Sequence, residues 1–187
     1  MKKYLFLIIA FSLGAGSCSK ETSQQNEDVI PNFDFEIWNG WSPQFWKSNS
    51  CPACSKQILT DIVRQSTDAY SGKYAVELLN NNFYPAFIQN KFAISSHPNT
   101  LNGYVKATLV TGDTVIVKIS LYRNNVVVDS GKWTGVESLP AYTAIHIPIS
   151  QNALLVDSAK LYIRGGQKKT AAWSTSTVLL ADDFTLR

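Results

Sequence analysis

The sequence predicts an all-β fold, a sandwich of two antiparallel sheets made of roughly nine or ten strands. Three observations lead to this prediction. From residue 32 onward, short runs of apolar and polar side chains alternate with a period of two. Turn residues such as Gly, Pro, Asn and Asp separate these runs at near-regular spacing. No segment of helical length shows a clean period of 3.6 residues, and this combination is typical of a β-sandwich.

The predicted strands follow one another along the chain. The first covers residues 32–38, in which Phe33, Phe35 and Ile37 are predicted to share one face. The segment 58–66 is ambiguous, because its residues fit a short helical turn and a strand equally well. The remaining predicted strands cover residues 74–79, 83–94, 103–109, 114–122, 125–133, 142–150, 158–166 and 177–187.

Two short features predict how these strands pair. Pro85 interrupts its run, which predicts a sheet edge or a bulge because proline has no N–H for the strand ladder. The pair Asn124-Asn125 stands between two runs and predicts a tight hairpin.

The first twenty residues have the pattern of a secretory signal peptide. Lys2 and Lys3 precede an apolar run at 5–13 that is too short to span a membrane, and small residues at 15–17 lead directly into Cys18. This ending resembles the lipobox of bacterial lipoproteins, although the position three before the cysteine is alanine and not the commoner leucine. The resemblance implies a signal peptide at 1–17 and a lipidated Cys18. The alternative is an ordinary cleaved signal peptide with a cysteine nearby by chance.

Residues 18–31 are polar and lack periodicity, which predicts a flexible tether between the lipid and a single domain at 32–187. The pair Lys20-Glu21 resembles the short export tag of surface lipoproteins in glycan-foraging Gram-negative bacteria. That resemblance implies an exported, surface-exposed outer-membrane lipoprotein, held in the membrane through its lipid anchor. The alternative is a solvated linker.

The charge balance excludes few partners but disfavours nucleic acid. The formal net charge is +3, and removal of Lys2 and Lys3 with the signal leaves +1 (3 minus 2). No basic patch is evident along the sequence, where Lys168-Lys169 is the tight cluster. Nucleic acid is therefore not an expected partner.

Cys51 and Cys54 form a C-x-x-C motif in a segment that reads as a loop. In an exported chain whose Cys18 is acylated, these two make an even pair, which favours a local disulfide. A reactive redox pair is a weaker alternative. Zinc would need a second ligand pair, and His97 and His146 do not have ligand spacing.

Three stretches of the chain resemble the jelly-roll carbohydrate-binding modules, a group of galactose-binding-like β-sandwiches. Residues 32–46 resemble the family's opening strand, 66–79 its second signature and 178–187 its last strand. Residues 101–125, together with 142–150, resemble a related carbohydrate-metabolism domain of glycan-degrading bacteria. The resemblance spans about 32 to 187 and implies a jelly roll that binds a poly- or oligosaccharide.

The last strand predicts a buried acid. Alternation places Leu180, Asp182, Phe184 and Leu186 on one face, so Asp182 points inward, where a bare carboxylate is costly.

In the resembling modules a structural calcium lies at this junction. Carried over, that resemblance implies Ca²⁺ held by Glu36, Asp182 and the carbonyl around Lys73, a donor set that suits calcium. The alternative is that Asp182 accepts backbone amides or pairs with a cation while Glu36 is solvated.

No catalytic motif is marked in the sequence, so the chain is not expected to be an enzyme. It contains no nucleophile elbow, phosphate loop or dinucleotide fingerprint, and no pair of acids is singled out as in glycosidases.

The aromatics Trp38, Trp41, Tyr84, Trp133 and Trp173 lie in loops or on polar faces and are candidates for a sugar-stacking platform. The alternative for each is partial burial under a loop.

These observations lead to one functional prediction with two competitors. The chain is predicted to be a lipid-anchored, non-catalytic carbohydrate-binding protein at the bacterial surface, with protein partners in a glycan-uptake complex. The first alternative is a protein-interaction, structural or adhesion lipoprotein without a glycan ligand, because fold does not fix function. The second is a small glycan hydrolase.

Overall fold

The computed structural model describes residues 28–51, 61–80, 85–150, 155–167 and 177–187. These residues form twelve strands, and the two main sheets are antiparallel. The predicted jelly-roll β-sandwich is therefore confirmed, with slightly more strands than the nine or ten expected. Within the described part of the chain no helix has the length and apolar character needed to cross a membrane.

The first sheet has five strands in the order β10-β7-β12-β5-β4. Its strands are β10 (Leu139–Pro148), β7 (Thr100–Thr108), β12 (Val178–Leu186), β5 (Ala75–Leu79) and β4 (Val63–Ser66). The last strand of the chain thus lies in the middle of the sheet, between β7 and β5.

The second sheet has the order β3-β6-β11-β8-β9. Its strands are β3 (Lys47–Ser48), β6 (Ala86–Ala93), β11 (Ser158–Gly165), β8 (Val115–Arg123) and β9 (Val126–Gly135). Two further two-residue strands, β1 (Trp38–Asn39) and β2 (Ser42–Pro43), pair with each other in a small hairpin.

The core lies between the sheets and is made by alternate residues of each strand. In β7 and β11 every second residue is buried, as the period of two predicts. The largest fully buried side chains are Phe35, Phe184, Ile30, Leu78, Ile88, Leu101, Ile119, Leu121, Ile147, Leu161, Ile163 and Leu179. Most are β-branched or leucine, which suits a pleated surface covered on one face.

The prediction of a first strand over residues 32–38 is wrong. Residues 31–34 form a turn, and Asn32 and Phe35 have left-handed backbone angles (φ 52° and 54°) that interrupt an extended chain. Phe35 is fully buried, whereas Ile37 is 54% exposed, so these two residues do not share a face. The alternation in the sequence reflects an irregular segment whose aromatic residues are buried one at a time.

The predicted inward face of the last strand is also wrong, because β12 contains a bulge. Asp182 pairs with Tyr104 and Thr185 with Asn102, so Asp183 and Phe184 together lie opposite Gly103. Asp183 has a φ of 53°, and the extra residue reverses the alternation.

As a result of the bulge, the core receives Leu179 and Ala181 before Asp183, and Phe184 and Leu186 after it. Asp182 is fully buried, but it lies on the outer face of the sheet. There the loop around Tyr70 and Ser71 covers it.

The predicted hairpin is confirmed. Arg123 pairs with Val126 across Asn124 and Asn125, whose φ angles of 51° and 65° are those of a tight primed turn. Pro85 comes directly before β6 and outside its hydrogen-bond ladder. The described end of the ambiguous segment 58–66 is strand β4.

Several predictions fall outside the described residues. They concern the signal peptide and tether up to residue 27, including Cys18, and also Cys54, Tyr84 and Trp173. Cys51 is disulfide-bonded, but Cys54 belongs to the undescribed segment 52–60, so their pairing stays a prediction.

The bulge depends on a close contact between Gly103 and Phe184. A methyl group at residue 103 would overlap the Phe184 ring. We expect Gly103→Ala to lower the free energy of unfolding by about 1–3 kcal/mol, measured by urea denaturation. In a Phe184→Leu background the same change should cost less, since the ring is absent. Equal costs in the two backgrounds would contradict this packing.

Candidate functional site

Trp38 and Trp41, which the sequence selected, lie together in one pocket. Trp38 begins the small hairpin and Trp41 stands at its turn, after Gly40 in a left-handed conformation (φ 62°). The pocket has a volume of about 330 Å³. Its lining residues are Trp38, Gly40, Trp41, Asp61, Val63, Arg64 and Gln65. The hairpin therefore places two indole rings next to the outer edge of the first sheet at β4.

Asn32 holds the loop that carries these tryptophans. Its Nδ2 donates to the carbonyls of Ile37 (2.9 Å) and Gln44 (3.1 Å), and its Oδ1 accepts from the Ile37 N–H (3.0 Å). The Asn32 carbonyl accepts from the Trp46 indole N–H (3.1 Å). Asparagine tolerates the left-handed backbone that this arrangement requires. One side chain thus closes the loop from residue 32 to residue 44.

The two indoles differ in freedom. Trp38 packs against the core and donates its indole N–H to the Phe35 carbonyl (2.7 Å), so its ring is fixed. Trp41 is 64% exposed. Arg64 is held by the Asp61 carbonyl (2.7 Å) and lies 3.8 Å from Glu77. The pocket therefore combines apolar ring faces with a guanidinium, a carboxylate and the Gln65 amide.

Trp133, the other predicted aromatic that the structure describes, does not join this pair. Trp133 lies opposite Val117 on the core-facing side of edge strand β9, packed beside Gly135 and against the core. Tyr84 and Trp173 lie outside the described residues. The structure thus assembles two of the five predicted residues and separates a third from them.

A second pocket, of about 350 Å³, lies on the outer face of the first sheet and was not anticipated from the sequence. It is lined by Asn102, Tyr104, Ala144, Ile145, His146, Asp183, Thr185 and Arg187. His146 Nδ1 lies 2.7 Å from Asn102 Oδ1, so this exposed histidine has a partner. Cross-strand register, which the sequence does not display, creates this pocket.

A tyrosine cluster borders the second pocket. Tyr70 stacks on Tyr104 with ring centroids 3.4 Å apart, and the Tyr142 ring meets Tyr70 edge-on at 5.9 Å. The Tyr142 hydroxyl donates to the Asp68 carbonyl (2.6 Å). Burial of Tyr142, together with the nearby Asp182 charge, raises the pKa of its hydroxyl, so it remains a donor at neutral pH. The ring faces of this cluster pack against one another.

The three residues predicted to hold calcium meet at one loop. Lys73 belongs to this loop, and the carboxylates of Glu36 and Asp182 accept hydrogen bonds from its backbone N–H groups. Glu36 Oε1 accepts from the backbone N–H of Lys73 (2.7 Å) and Tyr74 (2.8 Å). Asp182 Oδ2 accepts from the N–H of Tyr70 (2.9 Å) and Ser71 (3.1 Å). This is the amide-binding alternative for Asp182, and Glu36 is bonded to the same loop.

The donor set does not form the oxygen-rich shell that calcium prefers. Lys73 offers Glu36 an N–H donor, and no cluster of three acid, His or Cys side chains occurs among the described residues. Asp182 Oδ1 is buried without a hydrogen-bond partner in the described part of the chain. The calcium site therefore stays a prediction.

The predicted absence of a basic patch is wrong for the folded chain. The outer face of the second sheet carries Lys47, Lys91, Lys118, Lys132 and Lys160 at outward positions of its five strands. The third pocket, of about 280 Å³, lies on this face and is lined by Phe45, Lys47, Gln89, Lys91 and Lys160. These lysines are far apart in sequence, so only strand pairing brings them together.

Known structures share this fold at low sequence identity. The carbohydrate-binding module TmCBM61, solved with β-1,4-galactotriose, is 15% identical with a TM-score of 0.54, and the match covers 84% of this chain and 96% of that one. A Bacteroides thetaiotaomicron protein provisionally assigned as a glycoside hydrolase is 12% identical with a TM-score of 0.61, covering 83% and 70%. A carbohydrate-binding module of the β-sandwich superfamily is 11% identical with a TM-score of 0.55, covering 87% and 62%.

The sequence comparisons add nothing to these structural similarities. No family model matches the sequence, and no curated protein matches it. The structural matches show that the chain has the β-sandwich fold of carbohydrate-binding modules, as the sequence motifs predicted.

The buried Asp182 predicts a pH dependence of stability. Burial raises the pKa of Asp182 from 3.8 to about 6, outweighing the opposing effect of the Ser71 and Tyr70 amides. Between these two values the folded protein holds a proton that the unfolded chain has released. Stability contributed by this group therefore falls as the pH rises through that window.

We expect the Asp182 contribution to fall by about 1 kcal/mol between pH 5 and pH 7, and Asp182→Asn to remove this change. The measurement is urea denaturation of both proteins at the two pH values in EDTA. A constant difference between wild type and variant would contradict the shifted pKa. Repetition in calcium chloride tests the predicted metal, which would raise the melting temperature of the wild type alone.

Proposed function

We propose that this protein binds carbohydrate without transforming it, and that the Trp38–Trp41 pocket is its binding site. The observation that carries the proposal is the meeting of two tryptophans in one open pocket of a carbohydrate-binding-module fold. Flat aromatic faces stack on the apolar C–H side of sugar rings. Asp61, Arg64 and Gln65 supply donors and acceptors for hydroxyl groups at the rim of the pocket.

Preorganisation supports this assignment. Trp38 is fixed by its bond to the Phe35 carbonyl, and the loop is closed by Asn32 before any ligand arrives. A rigid ring loses little conformational entropy when it binds, so more of the stacking energy contributes to affinity. The exposed Trp41 is the ring with most of its surface free to bury.

Each of the three pockets described above has at most one carboxyl group among its lining residues, and this supports proposing binding and not hydrolysis. A glycosidase commonly places two carboxyl groups on either side of the scissile bond. The first pocket is lined by one carboxylate, Asp61, the second by one, Asp183, and the third by none. The proposal would be contradicted by release of reducing ends from a polysaccharide mixture.

The proposed location is the outer surface of a Gram-negative cell, where a lipid on Cys18 anchors the domain. The first described residue, Asp28, bonds to the backbone N–H groups of Ser95 (2.7 Å) and Ser96 (2.9 Å), just after β6. Residues 18–27 can extend at most about 35 Å from there to the lipid. The domain would then capture glycans close to the membrane for partner proteins of an uptake complex.

Trp41→Ala tests the binding site. We expect it to weaken glycan affinity about tenfold or more, because truncating a central tryptophan removes most of the stacked surface. Binding is measured on an array of neutral oligosaccharides that includes β-1,4-galactotriose, followed by calorimetry on the best ligand.

The matched control is Phe45→Ala, which removes an aromatic of similar exposure (60%) from a different pocket. Neutral-glycan affinity should survive this change. Equal loss of affinity in both variants would contradict the Trp38–Trp41 pocket as the binding site. No ligand on the array, together with a specific protein partner, would favour the protein-interaction alternative.

Cys18→Ser tests the anchor. Without the thiol no lipid can be attached, so we expect the protein to move from the membrane fraction to the soluble fraction of the producing cells. Cys51→Ser, which removes a different cysteine, should leave the protein in the membrane fraction. Retention of the Cys18→Ser protein in the membranes would exclude a lipid on Cys18 as the anchor.

A further inference from the structure

The lysines on the outer face of the second sheet are arranged in register. One row crosses all five strands and consists of Lys47, Gln89, Tyr162, Lys118 and Lys132. The next row along the strands consists of Lys91, Lys160, Ser120 and Ser130. With strands about 4.8 Å apart, the first row is about 19 Å long. We call the two rows together the lysine track.

The charges of the lysine track are largely uncompensated by acids of the described chain. None of its five lysines forms an ion pair with an acid of the described chain. Lys91 donates to Asn125 Oδ1 (2.8 Å) and lies over the Tyr122 ring. The acid beside this end of the track, Asp157, already accepts bonds from the Asn124 N–H and the Ser158 hydroxyl.

This arrangement is costly without a ligand. Lys91 stands directly opposite Lys160, and Lys118 directly opposite Lys132. Like charges at opposed positions of antiparallel strands repel each other. An anionic ligand lying across the rows would offset this repulsion.

We propose that the lysine track binds an acidic polysaccharide, a glycan chain that carries carboxylate or sulfate groups along its length. The ammonium groups of the track bind the anionic substituents. Gln89, Tyr162 and Ser130 stand between them as hydrogen-bonding partners for hydroxyl groups. Phe45, 60% exposed, offers a ring face at one end, beside Lys47 and Lys160.

The mixed chemistry of the track favours a glycan over a bilayer. A layer of anionic headgroups requires positive charge alone, whereas each row of the track contains neutral donors and acceptors as well as cations. The pocket of about 280 Å³ between Phe45 and the lysines is concave, which suits a chain better than a flat surface. This site lies on the sheet opposite to β4 and the Trp38–Trp41 pocket, and it does not depend on that pocket's function.

The test uses the triple variant Lys118→Gln, Lys132→Gln and Lys160→Gln, which keeps side-chain size and removes charge at exposed or half-buried positions. The probes are polygalacturonate and chondroitin sulfate, with neutral galactan, phosphatidylglycerol vesicles and duplex DNA in parallel. We expect the triple variant to weaken binding of at least one acidic glycan roughly tenfold at low ionic strength. Wild-type binding should weaken as salt is added.

Lys106→Gln is the matched control, since this lysine lies on the first sheet in an ion pair with Asp68 (2.6 Å). It should leave acidic-glycan binding unchanged, and Trp41→Ala should do the same. Unaltered melting temperatures would show that the variants remain folded. Failure of the Trp38–Trp41 proposal would appear only in the measurements of neutral-glycan binding. The outcomes of the two proposals are therefore separable.

Three results would overturn the proposal. They are absence of binding to both acidic glycans, binding that the triple variant leaves unchanged, and lysine-dependent binding to the vesicles or the DNA with none to the glycans. The last result would assign the track to a different class of anionic partner.

Discussion

Two carboxylates that bind the backbone of one loop hold this sandwich together at its open end. Glu36, from the N-terminal segment, takes the N–H groups of Lys73 and Tyr74, and Asp182, from the last strand, takes those of Tyr70 and Ser71. Hydrogen bonds from N–H groups to a charged acceptor are among the stronger ones in proteins. The segment before the first sheet, the loop before β5 and the centre of that sheet are thereby joined.

The position of the tryptophans follows from this junction. Glu36 lies in the same segment as Trp38, so its hydrogen bonds to the loop before β5 fix that segment against the first sheet. Asn32 closes the segment on itself through its side-chain hydrogen bonds. Gly72 is required here, because a side chain at its position would overlap the Glu36 carboxylate. The Phe184 N–H also donates to the Phe33 carbonyl (3.1 Å), bringing both ends of the domain together.

Alternation was enough to predict most strands, since burial of one face imposes a period of two wherever the chain is extended. It failed at residues 32–38 and at Asp182, where left-handed residues interrupt that period. Neither Asn32 nor Asp183 is marked in the sequence as a left-handed position. Asn32 is held by hydrogen bonds to residues 37, 44 and 46, and Asp183 belongs to a bulge opposite Gly103, contacts that an alternating pattern does not contain.

The site was predictable to the same extent. Trp41 was recognised because a loop residue following glycine needs no knowledge of pairing. Trp38 was selected as an outward residue of the strand 32–38, which does not form. The lysine track and the second pocket were missed because only the register between strands creates them. Lys118 and Lys160 are far apart in the sequence and become neighbours only when β8 pairs with β11. Trp133 lies away from this pair for the related reason that its strand's pairing decides which way it points.

The bulge in β12 has a consequence for tracing the ancestry of this domain. One extra residue shifts the phase of alternation between the two halves of the strand, so the adjacent acids Asp182 and Asp183 have different structural roles. In a homologue without the inserted residue, the alternation of inward and outward side chains would be shifted by one. A sequence alignment that matched the acids would then align the buried acid with the acid of the bulge. Gly103 and Phe184, whose contact spans the irregularity, are the better fixed points for superposing distant kin.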